Sequence, residues 1–239
     1  MRRGSIVALL GIGLIAGGVA TAVALIPTWL PVGASQEGDR IDFVIWLLIG
    51  ICIALFAIVA AAMVYSMARF KAAPDDLEDG PPIHGHTGLE IVWTAIPFVI
   101  VTAIAVVCAI VLTRNDARGA NPLRIDVQTQ QFAWTFSYPE AGHATSPVLR
   151  LPVNRSVQLY MRSLDVIHAF FVPEFRLTQD IVPGMVIQLH VTPNRVGTYP
   201  LICNELCGPG HSLMLTQAIV MPEKAFDKWL AHQKPGDTP

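Results

Sequence analysis

The sequence predicts a membrane-anchored all-β protein: apolar helices that cross a lipid bilayer, followed by one external β-sandwich or barrel. Three observations carry this reading. Only 14% of the 239 residues are charged and 53% are hydrophobic, against about 25% charged in an average soluble domain. The long uncharged runs are confined to the first half of the chain. From about residue 122 the apolar period changes from helical to alternating, with turn residues between short runs.

The first run, residues 5–26 (SIVALLGIGLIAGGVATAVALI), follows Met1-Arg2-Arg3. Two arginines, an apolar stretch and Val32-Gly33-Ala34 match a secretory signal with a small-residue cleavage site, yet the run is longer than a usual signal core. Residues 1–34 are therefore read as a signal peptide or an extra transmembrane segment. Residues 43–68 and 91–112 each exceed the roughly 20 apolar residues needed to span the hydrocarbon, and form a transmembrane hairpin over 41–113. Pro97 is tolerated near the start of the later run, where it can kink it. Trp46 and Trp93 lie near run ends, where interfacial aromatics collect. The basic N-terminus and the pair Arg69 and Lys71 belong inside by the positive-inside rule. The last run then leads out, which puts residues 114–239 on the outer side of a multi-pass membrane protein. The inner connection, residues 71–90, is rich in Pro, Gly and acids and reads as loop, with His84 and His86 solvated.

In LRIDVQTQQFAWTFSY the apolar positions are Leu123, Ile125 and Val127, then Phe132, Trp134, Phe136 and Tyr138. The switch from odd to even near Gln130 predicts a β-bulge or a change of buried face. Further alternating strands are expected at 156–163 and 185–191, with shorter ones at 197–203 and 215–221. Several short strands at this spacing make one compact sandwich or barrel. The tail, residues 222–233, starts with Pro222 and spaces Phe226, Trp229 and Leu230 on one face, so it predicts a closing amphipathic helix.

The formal net charge is −2, and acids and bases nearly balance from Arg114 onward. Nothing here marks a nucleic-acid partner or a strongly charge-steered docking face. Cys52 and Cys108 lie in apolar runs, where a free cysteine behaves as a small hydrophobe. Cys203 and Cys207 fall in CNELCGPGHSLM (203–214), beside Glu205, His211 and Met214. A disulfide is the bland reading of that pair in an oxidising compartment. Thiolate and thioether instead select copper, and imidazole suits copper or zinc. A structural zinc site gains little from methionine, and a mononuclear copper needs only one cysteine. Two thiolates can bridge two copper ions, each needing one further strong ligand. His211 serves one ion, and His168, in the apolar stretch SLDVIHAFFVPEF (163–175), is the candidate for the other.

The segments DVIHAFFVPEF (165–175), QDIVPG (179–184) and CNELCGPGHSLM together resemble subunit II of the cytochrome c oxidases, and the resemblance runs from about residue 41 to the end. It implies a cupredoxin-like Greek-key external domain holding the binuclear copper centre CuA. The matching ligands are His168, Cys203, Cys207, His211 and Met214, with Glu205 giving a weak backbone-carbonyl contact. The Glu205 side chain matches the position that faces a magnesium ion at the boundary with the catalytic subunit. The implied function is electron entry: electrons come from cytochrome c and go to haem in subunit I, where oxygen is reduced to water. The implied partners are subunits I and III, cytochrome c and membrane lipid, with no catalytic residue in this chain.

Two further segments match in part. QQFAWTFSYP (130–139) resembles the aromatic stretch where electrons enter, with Phe132 at a place often held by tryptophan and Trp134 at a later aromatic. LEIVWTAIP (89–97) resembles the inner start of a family helix, where Glu90 matches an acid at the mouth of a proton-uptake channel; an acid there also suits the helix dipole. Competing readings are the CuA subunit of a nitric oxide reductase, a quinol oxidase subunit (which lacks the copper ligands), a membrane-anchored copper chaperone, and a metal-free anchored β domain.

Overall fold

A computed structural model describes residues 3–71, 82, 84–117, 119 and 121–234. It divides the chain into two compact units, Met1–Trp29 with Phe43–Ala109 and Leu30–Asp42 with Ile110–Pro239.

The first unit is built from helices α1 (Arg3–Leu25), α2 (Gln36–Arg69, from Phe43 onward) and α3 (Thr87–Asp116, up to Ala109). All three are long and apolar enough to cross a membrane. Their apolar side chains point outward, as lipid-facing residues must. Close approach of α1 to α2 rests on small residues: a Cβ on Gly17 would meet the Ala57 Cβ at 3.4 Å, and one on Gly13 the Ala61 Cβ at 3.6 Å. Helix α3 runs unbroken through Pro97. The acidic part of the connection between α2 and α3, residues 72–81 and 83, lies outside the described residues.

Among the described residues the second unit contains ten strands: β1 (Leu123–Gln130), β2 (Ala133–Tyr138), β3 (Ala144–Ser146), β4 (Leu149–Pro152), β5 (Val157–Ser163), β6 (His168–Val172), β7 (Leu177–Ile181), β8 (Ile187–Val191), β9 (Gly197–Cys203) and β10 (Leu215–Met221). They form two five-stranded sheets, in the orders β3-β2-β1-β5-β8 and β4-β10-β9-β6-β7. Most pairs are antiparallel, but β1 runs parallel to β5 and β10 parallel to β4, as Greek-key crossovers require. This is the predicted cupredoxin-like sandwich.

Alternation sets the core. Leu123, Ile125 and Val127 of β1, with Trp134, Phe136 and Tyr138 of β2, are buried and meet Phe170, Leu201 and Val220 of the other sheet. Helix α4 (Glu223–Ala231) closes one end: Phe226 is fully buried and Trp229 meets Tyr138 edge-on at 4.9 Å.

One sequence expectation is corrected. The parity switch near Gln130 is neither a bulge nor a change of buried face. Gln130 pairs with Ala133, so Gln131 and Phe132 are the two-residue turn of a hairpin, and the strand restarts on the opposite parity. His168 lies beyond the end of β5 and itself begins β6. Strands β3, β4, β6 and β7 carry no alternating signal: β3 and β4 are only three and four residues long, β6 (HAFFV) is a continuous apolar run and β7 (LTQDI) is mostly polar.

Residues 30–42 belong to the β unit. Ala34, read from the sequence as part of a cleavage motif, is fully buried, and its N–H bonds the Glu174 carbonyl at 2.8 Å. Ser35 caps α2 by accepting from the Gly38 N–H at 2.9 Å. Asp42 pairs with Arg176 at 2.7 Å. Glu37 is buried, accepts from the Thr192 N–H at 2.8 Å and faces His190 at 3.4 Å. Burial opposes its charge, but the His190 and Thr192 contacts outweigh that and lower its pKa. A lowered folded pKa stabilises above the ordinary value of 4.5 and is lost as pH falls below it. Glu37→Ala is expected to cost about 1–3 kcal/mol by orphaning the Thr192 N–H, and the gap from wild type should close in melts run at progressively lower pH.

Candidate metal centre

The antiparallel order β10-β9-β6 brings three strand ends to one edge of the sandwich. Strand β9 ends at Cys203, β10 begins after Met214, and β6 begins at His168. Phe170 is in register with Cys203, which sets His168 beside it. The Cys203 N–H bonds the Met214 carbonyl at 3.1 Å, closing the base of the loop. Within the loop, tight turns link His211 to Gly208, Leu213 to Gly210 and Met214 to His211. Those turns carry His211 back over Cys207.

The Cys203 and Cys207 sulfurs are 3.9 Å apart and both residues are free and buried. That is far beyond a disulfide bond of about 2.05 Å. It is shorter than two metal–thiolate bonds of about 2.3 Å laid end to end, so both sulfurs can touch the same ion. Each sulfur faces its own imidazole: Cys203 Sγ lies 3.8 Å from His168 Nδ1, and Cys207 Sγ lies 3.6 Å from His211 Nδ1. Each also has a weaker neighbour, the Glu205 carbonyl at 3.3 Å from Cys203 and Met214 Sδ at 3.8 Å from Cys207. His168, Cys203 and Cys207 hold their ligand atoms within 4.8 Å of one another. This donor set fits a thiophilic metal. Burial, then the adjoining Cys203 sulfur, push the Cys207 thiol up to about 11. Metal binding must therefore displace a proton from it at neutral pH.

All six predicted ligand positions, His168, Cys203, Glu205, Cys207, His211 and Met214, thus come together. Phe132 is half-exposed at the β1–β2 turn, its ring against the metal loop: a Cβ on Gly210 would fall 2.5 Å from it. Trp134 is buried beneath, edge-on to Phe170 at 6.2 Å, with its indole N–H 3.5 Å from the Met214 carbonyl. The Glu205 side chain is exposed while its carbonyl faces Cys203. Glu90 is placed in the helical unit, in the first turn of α3, where its carboxylate accepts from the His86 N–H at 3.2 Å. His86 in turn accepts from the Leu89 N–H at 3.2 Å, so this pair caps the helix.

Two residues that sequence reasoning missed complete the site. Asp165 Oδ1 lies 2.9 Å from His168 Nε2. That contact holds the ring with Nδ1 directed at Cys203, the tautomer a metal needs. The signal was local, an acid three residues before a candidate ligand. Burial works against the Asp165 charge, but the Gln131 and Val166 N–H groups and the His168 ring prevail and hold its pKa down to about 2. Asp165→Ala is expected to weaken metal binding about 10–100-fold, read by competition with a chelator. Because the folded pKa lies below the ordinary 3.8, this support is complete above that value and fades between it and about 2. The second residue is Gln131, which bonds the Cys207 carbonyl. No local pattern marks it.

Known proteins resemble this chain in sequence. Residues 143–221 match the family model for the periplasmic domain of cytochrome c oxidase subunit II, and residues 23–110 match the model for its transmembrane domain. Subunit 2 of the Synechocystis cytochrome c oxidase is 34% identical over 95% of this chain and 83% of its own. The chain belongs to the cytochrome c oxidase subunit II family. The corresponding Thermostichus vulcanus subunit is 32% identical over 87% of this chain and 81% of its own. The solved periplasmic domain of subunit II from Bradyrhizobium japonicum covers 48% of this chain and 94% of its own, at 25% identity and a TM-score of 0.45. As a member of this family the protein is a respiratory oxidase subunit, with its helices in the membrane and its β domain on the outer, periplasmic side.

Proposed function

We propose that this chain is the electron-entry subunit of a terminal oxidase, and that its metal loop holds the binuclear copper centre CuA. One observation carries the proposal: two buried sulfurs 3.9 Å apart, each facing a separate imidazole Nδ1. A single structural ion would need no such pair of half-sites. His168, Cys203, Cys207, His211 and Met214 are the side-chain ligands, and Glu205 contributes its carbonyl. A bound copper pair would supply a one-electron relay between a cytochrome c and the haem of subunit I, where oxygen is reduced to water.

The chain's own residues make that relay efficient by staying still. His168 and Cys203 stand on paired strands, and Asp165 locks the His168 ring. Trp134 and Phe170 pack beneath the loop and exclude water, which keeps the local dielectric low. Phe132, half-exposed against Gly208 and Gly210, is the proposed entry point, with Trp134 behind it.

Leu206 and Leu213 in the loop, Leu215 just after it, and Leu164 and Ile167 next to Asp165 and His168 in the chain are all exposed. These apolar side chains suit docking to other subunits and to cytochrome c with little charge steering. The exposed Glu205 carboxylate is available to a magnesium ion at the subunit I boundary. Glu90, exposed at the start of α3, is available to admit protons. Subunit III and membrane lipid complete the proposed surroundings, with residues 41–113 as the hairpin and 114–239 as the external domain.

The test is metal analysis and electron spin resonance on the full chain in detergent after copper loading. Two copper ions per chain, with hyperfine splitting from two equivalent nuclei, is the expected result. One ion or none would overturn the proposal. Turnover of the assembled complex with oxygen and with nitric oxide would separate an oxygen reductase from a nitric oxide reductase.

A further inference from the structure

Gln131 makes contacts that its place in an exposed turn does not by itself require. It stands in the two-residue turn between β1 and β2, where any polar residue would satisfy the hairpin. Its backbone N–H bonds Asp165 Oδ2 at 2.6 Å, and its side-chain amide bonds the Cys207 carbonyl at 2.5 Å. Asp165, through its other oxygen, orients His168. One residue therefore grips both halves of the ligand set, which are separated by 35 residues of sequence between His168 and Cys203.

The sheet brings it there. Strand β1 lies parallel to β5, with Thr129 in register with Ser163. The chain leaving β5 continues into the Asp165 turn, pinned by the Leu164 N–H to the Thr129 carbonyl at 3.0 Å. The hairpin that leaves β1 therefore opens against that turn on one side. On the other side it meets the metal loop, where a Cβ on Gly208 would fall 2.7 Å from the Gln131 amide nitrogen. Gly208 also has φ +135°, a conformation open to glycine. The loop is thus shaped to admit the amide.

We infer that Gln131 is a positioning residue for the metal centre: it clasps the His168 turn to the Cys207 loop, so that the two imidazoles stay aimed at the two sulfurs. It touches no ligand atom and acts only through Asp165 and the Cys207 carbonyl. Its side-chain amide is the part substitution can remove, since the backbone N–H to Asp165 survives any replacement but proline. The inference rests on the copper reading above.

Gln131→Met and Gln131→Glu provide the test in the full chain. Methionine keeps the length without the donor, and glutamate turns an acceptor toward the Cys207 carbonyl. Copper release to a chelator is followed alongside the spin-resonance spectrum and the thermal midpoint of the copper-free protein. Release is expected to accelerate about 10-fold in Gln131→Met and by more in Gln131→Glu, within the 10–100-fold range of groups that orient ligands. The hyperfine pattern should become unequal, while the copper-free midpoint stays near that of wild type.

Release at the wild-type rate in both variants would overturn the inference, as would glutamate behaving like glutamine. Faster release matched by an equal loss of copper-free stability would make Gln131 a purely structural turn residue, and would also overturn it. If the wild-type chain itself takes up fewer than two coppers, the underlying copper reading fails instead, and the two failures are told apart by that measurement.

Discussion

Cys203→Ser and Cys207→Ser, each made in the full chain, are expected to lose the binuclear copper signal and to bind at most one copper ion. Each sulfur faces the other and a separate imidazole, so removing either leaves no position shared between two ions. A serine hydroxyl is a hard, neutral donor and a poor substitute for thiolate with a thiophilic metal. Groups that merely orient ligands are worth about 10–100-fold in affinity or activity. Loss of a bridging ligand should therefore reduce turnover of the assembled complex with cytochrome c by more than about 100-fold. Cys52, exposed on α2, serves as the control, and Cys52→Ser should leave spectrum and turnover intact. A wild-type spectrum in either of the first two variants would remove the bridging assignment.

Phe170→Ala should have the largest effect on stability. Phe170 is fully buried, lies in register with Cys203 between β6 and β9, and meets Trp134 edge-on at 6.2 Å. Truncating a buried phenylalanine costs about 3–5 kcal/mol, part of it for the cavity left behind. For a domain of this size that lowers the melting midpoint by roughly 10–20 °C. The same cavity would open under the metal loop, so copper should also leave faster. Thermal unfolding in detergent, monitored by near-ultraviolet circular dichroism, reads the first effect and chelator competition the second. A loss under about 1 kcal/mol would show that the sandwich repacks around the gap and that Phe170 does not hold the site's floor.

Much of this molecule could be read along the chain because its features are local. Uncharged runs announce the helices, and alternation in Leu123–Val127 and Trp134–Tyr138 announces two neighbouring strands that bury the same face. Cys203, Cys207, His211 and Met214 sit at three- and four-residue spacings that one loop can gather. His168 was inferred by need, since a second copper would lack an imidazole, and the β6–β9 register then sets it beside Cys203. The Gln131–Phe132 turn was misread because the parity change of a tight hairpin looks the same, in sequence, as a bulge. No local pattern singles out His190, and only the fold of residues 30–42 across β8 brings it to Glu37.

The sequence by itself determined the spanning helices, the strand-rich second half and the loop that can gather soft ligands. Each of these is a matter of which neighbouring residues avoid water or favour metal. Only the tertiary structure decided that Gln131 and Asp165 meet the cysteine loop, and by which strand pairing His168 reaches it. Their meeting depends on β1 lying parallel to β5 and on β6 lying beside β9. A strand's alternation states which face it buries, but not which strand will satisfy its backbone hydrogen bonds. That choice is made by the packing of the whole sandwich.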